Sequence, residues 1–449
     1  MRSLYLSFIY LMFLLLGTMA PFVFSLGYLW VDAATPQYLV YFLLNQIPCS
    51  LIMAVGAIGG YLLLDRRAPP KNLGFTSLTI VFAIWCSLST AFWAVVPDAA
   101  WNKWDWAFKS MMFSAFIPFI FRSRLQIEAF LQVWMFSLGA QIIPYGAKVV
   151  ISGGGYGLDL GLVSGNSGLA EGGMLSAVAA MLIPIIMYLR AHGQLLPKHR
   201  VTDLFYLAMI AACIATAVGT YERSALIGLL VVGASVWLQA KRKILYGVLG
   251  CAIAATVMYG TSQGWNERIS TINDYNKESS ALGRILVWEW TLDFVGEHPE
   301  GGGFDAYRIN RIVFPDASPD DPSGGVVLGK AFHSIYFEIL GEQGWFGLGL
   351  FGTIALVSFR SLRKARRRAK SVAHLAWCDE LARALTSSLL AMLSCGAFIG
   401  IGYQPMLWYL FAMSACLHAH VGQVDNQLAT RPKIFPPVTV KGNLAQGVT

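Results

Sequence analysis

Two arginines and a histidine are the side chains of this chain best suited to chemistry, and each sits in a distinctive setting. Arg223 stands in GTYERSALIG two residues after Tyr221, Arg284 stands in SSALGRILVW, and His333 opens HSIYFEILGEQGWFGLGLFG. A guanidinium offers a planar fork of donors that suits phosphate oxygens, so both arginines are candidate anion binders. The local alternative is also open: Arg223 can pair with Glu222 or reach lipid headgroups, and Arg284 can pair with Glu278 or Glu289. An imidazole near the positive end of a helix is held neutral and can accept a proton, although a histidine there can equally be a hydrogen-bonding cap. Tyr336 and Phe337 follow on the face of His333, whereas Ser334, Glu338 and Glu342 define another, so Glu338 is no obvious orienter of the imidazole. Gly341, Gly344, Gly347 and Gly349 read as packing positions for neighbouring helices.

The elements that must carry these residues are set by solvent. The chain has 449 residues, 56% of them hydrophobic and only 13% charged, and its mean hydropathy is +0.56; soluble domains carry about 25% charged residues. An all-α polytopic membrane protein is expected, with about 12 transmembrane helices. The apolar stretches run near 4–29, 37–64, 75–96, 107–121, 126–150, 172–190, 202–220, 224–240, 244–261, 333–359, 380–402 and 404–423. The first outlasts a secretory h-region and shows no A-x-A site, so it reads as a retained span. With both termini inside, DRRAPPK, RSR, RAHGQLLPKHR, KRK, RSLRKARRRAK, the tail, Arg2 and Arg383 hold 23 of the 33 basic residues and, with the inner ends of the spans, only 6 of the 25 acids. The net charge of +8 is therefore a topology signal that satisfies the positive-inside rule, with no nucleic-acid footprint. The same basic run near residues 360–370 can touch anionic membrane lipids or simply stop transfer.

The polar interruption between spans 9 and 10, residues 263–332, is too long for a plain connector. ALGRILVWEWTLDFVG reads as an amphipathic helix after a Ser279/Ser280 cap, DAYRINRI as the start of another, and FPDASPDDPSGG as a flexible connector. The expected organisation is thus 1–262 with spans 1–9, a helical outer cap at 263–332, spans 10–12 at 333–423 and a tail at 424–449. Basic residues are scarce on this side. Besides Arg223 and Arg284 they include Arg268, Arg308, Arg311, Lys277 and Lys330 in the loop, and the first three are further candidate binders. Asn166, in GLVSGNSGLAEGG, can bind a sugar or cap the helix that follows. Of seven histidines only His298 and His333 face outward, and the seven cysteines give neither a disulfide framework for the loop nor zinc spacing.

The order YERSALIGL, then SALGRILVWEWTLDF with HPEGGGFDAY, then HSIYFEILGEQGWFGLGLF, resembles the O-antigen ligase and polymerase superfamily of bacterial envelope proteins over roughly residues 160–400. The first 150 residues look more like the ligase branch, including ligases found beside exosortase systems. The resemblance implies a GT-C-like glycosyltransferase of the bacterial inner membrane, with a periplasmic site and a large periplasmic loop. It implies an undecaprenyl-pyrophosphate-linked glycan as donor and a lipid A-core sugar hydroxyl as acceptor. His333, Arg284 and Arg223 then become the catalytic set, with Arg268, Arg308, Arg311, Tyr221, Asn166 and Tyr336 as substrate-binding candidates. No cofactor or metal is expected, since the first outer loop offers only Asp32 and Asp320-Asp321 lies in a Pro/Ser/Gly-rich connector. A polymerase using the same donor, a lipid-linked sugar transporter and a non-catalytic scaffold for envelope assembly stay open at this point, as does the oligomeric state.

Overall fold

The computed structural model describes residues 2–40, 44–65, 67–70, 73–152, 169, 171–240, 242–245, 247–248, 250, 252, 279–314, 325–370 and 372–430. Its helices are α1 Arg2–Met19, α2 Phe22–Ala34, α3 Pro36–Leu39, α4 Cys49–Leu64, α5 Gly74–Phe92, α6 Pro97–Ile120, α7 Arg124–Ser152, α8 Gly172–His192, α9 Arg200–Gly219 and α10 Arg223–Gln239. After these come α11 Ser279–Glu297, the strands β1 Arg311–Val313 and β2 Val326–Leu328, then α12 Ile335–Ala369, α13 Ala376–Gly396 and α14 Pro405–Thr430. Among the described residues six helices are long and apolar enough to cross a membrane, at Arg2–Met19, Gly74–Phe92, Arg124–Ile151, Gly172–His192, Arg200–Gly219 and Ile335–Ala369. The protein is an all-α polytopic membrane protein.

Hydropathy and structure part company at the N-terminus. The stretch expected as one span at 4–29 is two helices, α1 and α2, because Pro21 lacks the N–H that a continuing helix needs. The turn is tight: a Cβ on Gly60 of α4 would stand 2.5 Å from the Pro21 ring. Asp32, expected in the first outer loop, lies within α2 and accepts a hydrogen bond from Tyr409 Oη of α14 at 2.7 Å. Among the described residues of the stretch 37–64, the helices are α3 and α4. The ninth expected span, 244–261, lies largely outside the described residues.

The centre of the molecule is α8, 94% of whose most apolar 18-residue stretch is buried. Ala177, Ala179 and Ala180 are fully buried along it, and such small side chains let α7, α9, α10 and α13 pack closely around it. Against α14 an aromatic core forms from Phe82, Phe351, Tyr403 and Trp408, with Phe82 and Trp408 stacked at 5.7 Å.

The loop between α11 and α12 departs from expectation. DAYRINRI gives only a 3-10 turn at Ala306–Ile309, after which Arg311–Val313 pairs antiparallel with Val326–Leu328. Of FPDASPDDPSGG, only Phe314 and Gly325 fall among the described residues.

The expected span at 333–359 is helical over Ile335–Ala369 but broken at Gly344, whose φ of 66° and ψ of −170° lie outside helical space. The break is used. Gly302 and Gly303 N–H donate to the carbonyls of Gly341 and Glu342 at 2.9 Å each, and Trp345 N–H reaches the Pro299 carbonyl at 3.1 Å. From α5, Trp85 Nε1 donates to the Gln343 carbonyl at 2.9 Å and Ser89 Oγ to that of Glu342 at 3.2 Å. The carbonyls freed by the break therefore find partners, as a buried helix end requires. A Cβ at Gly344 would stand 2.1 Å from the Pro299 carbonyl oxygen, so only glycine fits. Gly341 does pack, against Phe332 and Thr291, whereas Gly349 has nothing within 4 Å.

Candidate functional site

The residues 335–343 form a half-helix, and the turn that leads into it carries His333. Phe332, just before it, is buried, and its carbonyl accepts a hydrogen bond from Trp288 Nε1 of α11 at 2.8 Å. The same indole stacks on Phe337 with ring centroids 4.9 Å apart and planes 1° from parallel. Trp288 therefore grips the histidine turn from both ends. Arg284 lies four residues earlier on α11, one turn away on the same face, which brings its guanidinium toward His333.

A third cation joins them. Asn310, 1% exposed, accepts from Lys330 N–H at 2.9 Å and donates to the Lys330 carbonyl at 2.7 Å. This clip lays the Lys330 side chain against Gly283, where a Cβ would come within 2.3 Å of Lys330 Cε. The electrostatics record the proximity of all three. Burial, then Arg284, then Lys330 push the His333 imidazole down to about 4 from its usual 6.5. Burial and Arg284 likewise lower the Lys330 ammonium. At neutral pH His333 is thus an uncharged ring beside two cations, and among the described residues it makes no hydrogen bond.

Opposite charge enters from the start of α8. Glu171 occupies the N-cap position but does not cap its helix. Burial, Glu222 and Glu338 raise its carboxyl, while Arg284 pulls it the other way. Glu222, Glu338 and Arg284 thus lie close enough to Glu171 to act on it, and Glu222 immediately precedes Arg223, the first residue of α10. The α10 tip is tied to α13 by a hydrogen bond from Cys395 Sγ to the Ser224 carbonyl at 3.3 Å.

Backbone strain concentrates in this region. Among the described residues the non-glycine positions with positive φ are Thr35, Tyr221 at 51°, Asp305 at 58° and His333 at 49°. Each such residue costs on the order of 1–3 kcal/mol, and such costs persist where surrounding contacts hold the geometry.

Beneath the half-helix lies a buried ionic cluster. Lys103 Nζ of α6 is 2.8 Å from both Glu338 Oε1 and Glu342 Oε1, and 3.5 Å from Asp305 Oδ1. Asp305 N–H donates to Glu342 Oε1 and Gly402 N–H to Glu338 Oε2, both at 2.9 Å. Glu338 is 7% exposed and Glu342 fully buried. The glutamates of the His333 helix thus face a lysine that hydropathy did not single out.

The other expected site residues disperse. Arg308 pairs with Asp305 at 3.0 Å, its side chain 52% exposed. Arg311 is exposed on β1. Tyr336 Oη donates to the Leu393 carbonyl of α13 at 3.2 Å, and Tyr221 forms the strained turn before α10. Arg268 and Asn166 lie outside the described residues. Lys330, Asn310, Glu171, Glu222 and Lys103 were missed as site residues. A lone lysine beside glycine, or a lysine among tryptophans in WNKWDW, carries no spacing signal of its own.

A polytopic helical membrane protein with a cationic, histidine-bearing site under a helical loop is the class defined by this fold and site. Residues 207–352, which contain Arg223, Arg284, Lys330 and His333, match the family model described as O-antigen ligase, and residues 1–194 match a family of unknown function, DUF5935. Over residues 207–352 the chain is thus similar to the O-antigen ligase family. No curated protein matches it.

Proposed function

We propose that the protein is an O-antigen ligase of the bacterial inner membrane, working on the periplasmic side with both termini cytoplasmic. It transfers a glycan from undecaprenyl pyrophosphate to a sugar hydroxyl of the lipid A core by one inverting displacement that needs no metal. The observation that carries this reading is the neutral His333 held in a strained turn beside Arg284 and Lys330.

The reaction divides among these residues. The acceptor oxygen bonds to the anomeric carbon as the bond to the pyrophosphate oxygen breaks. Negative charge grows on the departing lipid pyrophosphate, where Arg284, Lys330 and Arg223 receive it; losing one such donor typically costs about 10²–10³ in rate. His333 takes the acceptor's proton. With its value near 4 in the free protein, the imidazole is a weak base. Its cationic neighbours cause part of that depression, so a bound pyrophosphate that neutralises them raises its basicity. Base strength then follows donor occupancy.

The test is the purified protein with undecaprenyl-pyrophosphate glycan and lipid A core. Glycan on the core supports the ligase. Longer glycan still on the lipid carrier makes it a polymerase, and vesicle uptake with no covalent product makes it a transporter.

A further inference from the structure

The half-helix 335–343 has to be held by something other than its own continuation. The break at Gly344 removes the rigid connection to the remainder of α12, so the longer segment below cannot fix the height or rotation of the turn that bears His333. Trp288 holds that turn at the top. From below, Glu338 and Glu342, one turn apart on one face, are held at 2.8 Å each by a single ammonium, Lys103. The cluster around that ammonium joins several elements. Lys103 belongs to α6, Asp305 to the segment after α11, and Gly402, whose N–H meets Glu338 at 2.9 Å, to the connection before α14. The Lys103 side chain is only 13% exposed, and its ammonium also lies 5.2 Å from the Tyr403 ring centroid. The cluster is joined electrically to the site as well, since Glu338 and Arg284 both act on Glu171.

We infer that Lys103 and Glu338 are positioning residues for the transfer reaction: they set where the half-helix stands and so where His333 meets the acceptor hydroxyl. The inference rests on the reading of His333 as proton acceptor. A buried ionic brace of purely structural value would lower stability when broken and leave the chemistry of the folded fraction intact. A positioning brace changes turnover in protein that remains folded, because a displacement near 1 Å costs about 10²-fold.

The experiment uses the full chain in lipid nanodiscs, with Lys103→Met, Lys103→Arg, the paired variant Lys103→Met/Glu342→Gln, and Glu338→Gln. Lys109→Met serves as control on the same helix, its ion pair with Asp105 being 60% and 59% exposed. Lys103→Met and Glu338→Gln are expected to lower kcat about 10²-fold while KM for the lipid-pyrophosphate donor moves less than about threefold. Lys103→Arg is expected to recover at least tenfold of the loss and Lys109→Met to match wild type. If Lys103→Met does not fold, the paired variant, which neutralises the fully buried Glu342 together with its ammonium partner and leaves Glu338 on the Gly402 N–H, carries the same measurement. The inference is overturned if folded Lys103→Met or the paired variant keeps kcat within threefold, or if Lys103→Arg is as slow as Lys103→Met. Amide hydrogen exchange separates failure of the inference from failure of the functional reading. Faster exchange confined to 335–343 in Lys103→Met supports the positioning role even if wild type forms no product on the core, and unchanged exchange there refutes it.

Discussion

His333 combines left-handed backbone, a ring kept neutral by burial and cations, and no hydrogen-bonded orienter among the described residues. If it accepts the proton, His333→Ala and His333→Asn should both lose about 10²–10⁴ in kcat, since asparagine tolerates the left-handed turn and hydrogen-bonds but cannot take up a proton. Activity kept by asparagine and lost by alanine would assign the ring to holding substrate. Stability has a defined pH sign. The folded value near 4 lies below the usual 6.5, so between those limits the unfolded chain binds more protons. The neutral histidine's contribution is complete above about 6.5 and lost as pH falls toward about 4; thermal unfolding of His333→Asn should therefore depend less on pH across that window than wild type. Arg223, Arg284 and His333 stood out in the sequence because basic groups are scarce in outward segments of a positive-inside chain. Lys330 was legible only as one more loop cation. Its importance comes from Asn310, a contact across 20 residues that no local pattern encodes.

At the scale of elements, α11 and the half-helix behave as one unit joined by Trp288. Trp288→Phe keeps the stacked ring but removes the donor to the Phe332 carbonyl, a loss of about 1 kcal/mol in stability. A larger effect on transfer, roughly tenfold in kcat with unchanged donor KM, is expected if that bond aims the histidine turn. The amphipathic pattern announced α11, and its fourfold spacing put Arg284 and Trp288 on one face, so this half of the site could be read from sequence. The break at Gly344 could not. Four glycines at short intervals in one apolar run all look like packing, and only the Pro299–Gly303 strap, some 40 residues earlier, selects Gly344 as the residue that must leave helical space. Gly344→Ala, with both a forbidden φ and a carbonyl 2.1 Å away, should abolish folded protein in size-exclusion chromatography, whereas Gly349→Ala, with open space around it, should be neutral.

For the whole molecule, composition and charge asymmetry were sufficient to give an all-α polytopic membrane protein, because the bilayer punishes any other arrangement of so apolar a chain. They misjudged the helical pair at the N-terminus, since a proline between two apolar stretches leaves the hydropathy profile unbroken. If arginine and lysine side chains stand in for a divalent ion, transfer should persist in excess EDTA; loss on chelation with recovery on magnesium would end that reading. The break in α12 has one more implication, mechanical in kind. Below the break the helix runs from Trp345 through its apolar part into the basic stretch that begins at Arg360, and a bilayer-embedded segment of this kind tilts as membrane thickness changes. An unbroken rod would swing its upper end through the reaction centre with every such adjustment. A swivel at Gly344 lets the rod lean while the upper segment stays moored to its neighbours, so the rate of transfer should vary little across vesicles of different acyl-chain length.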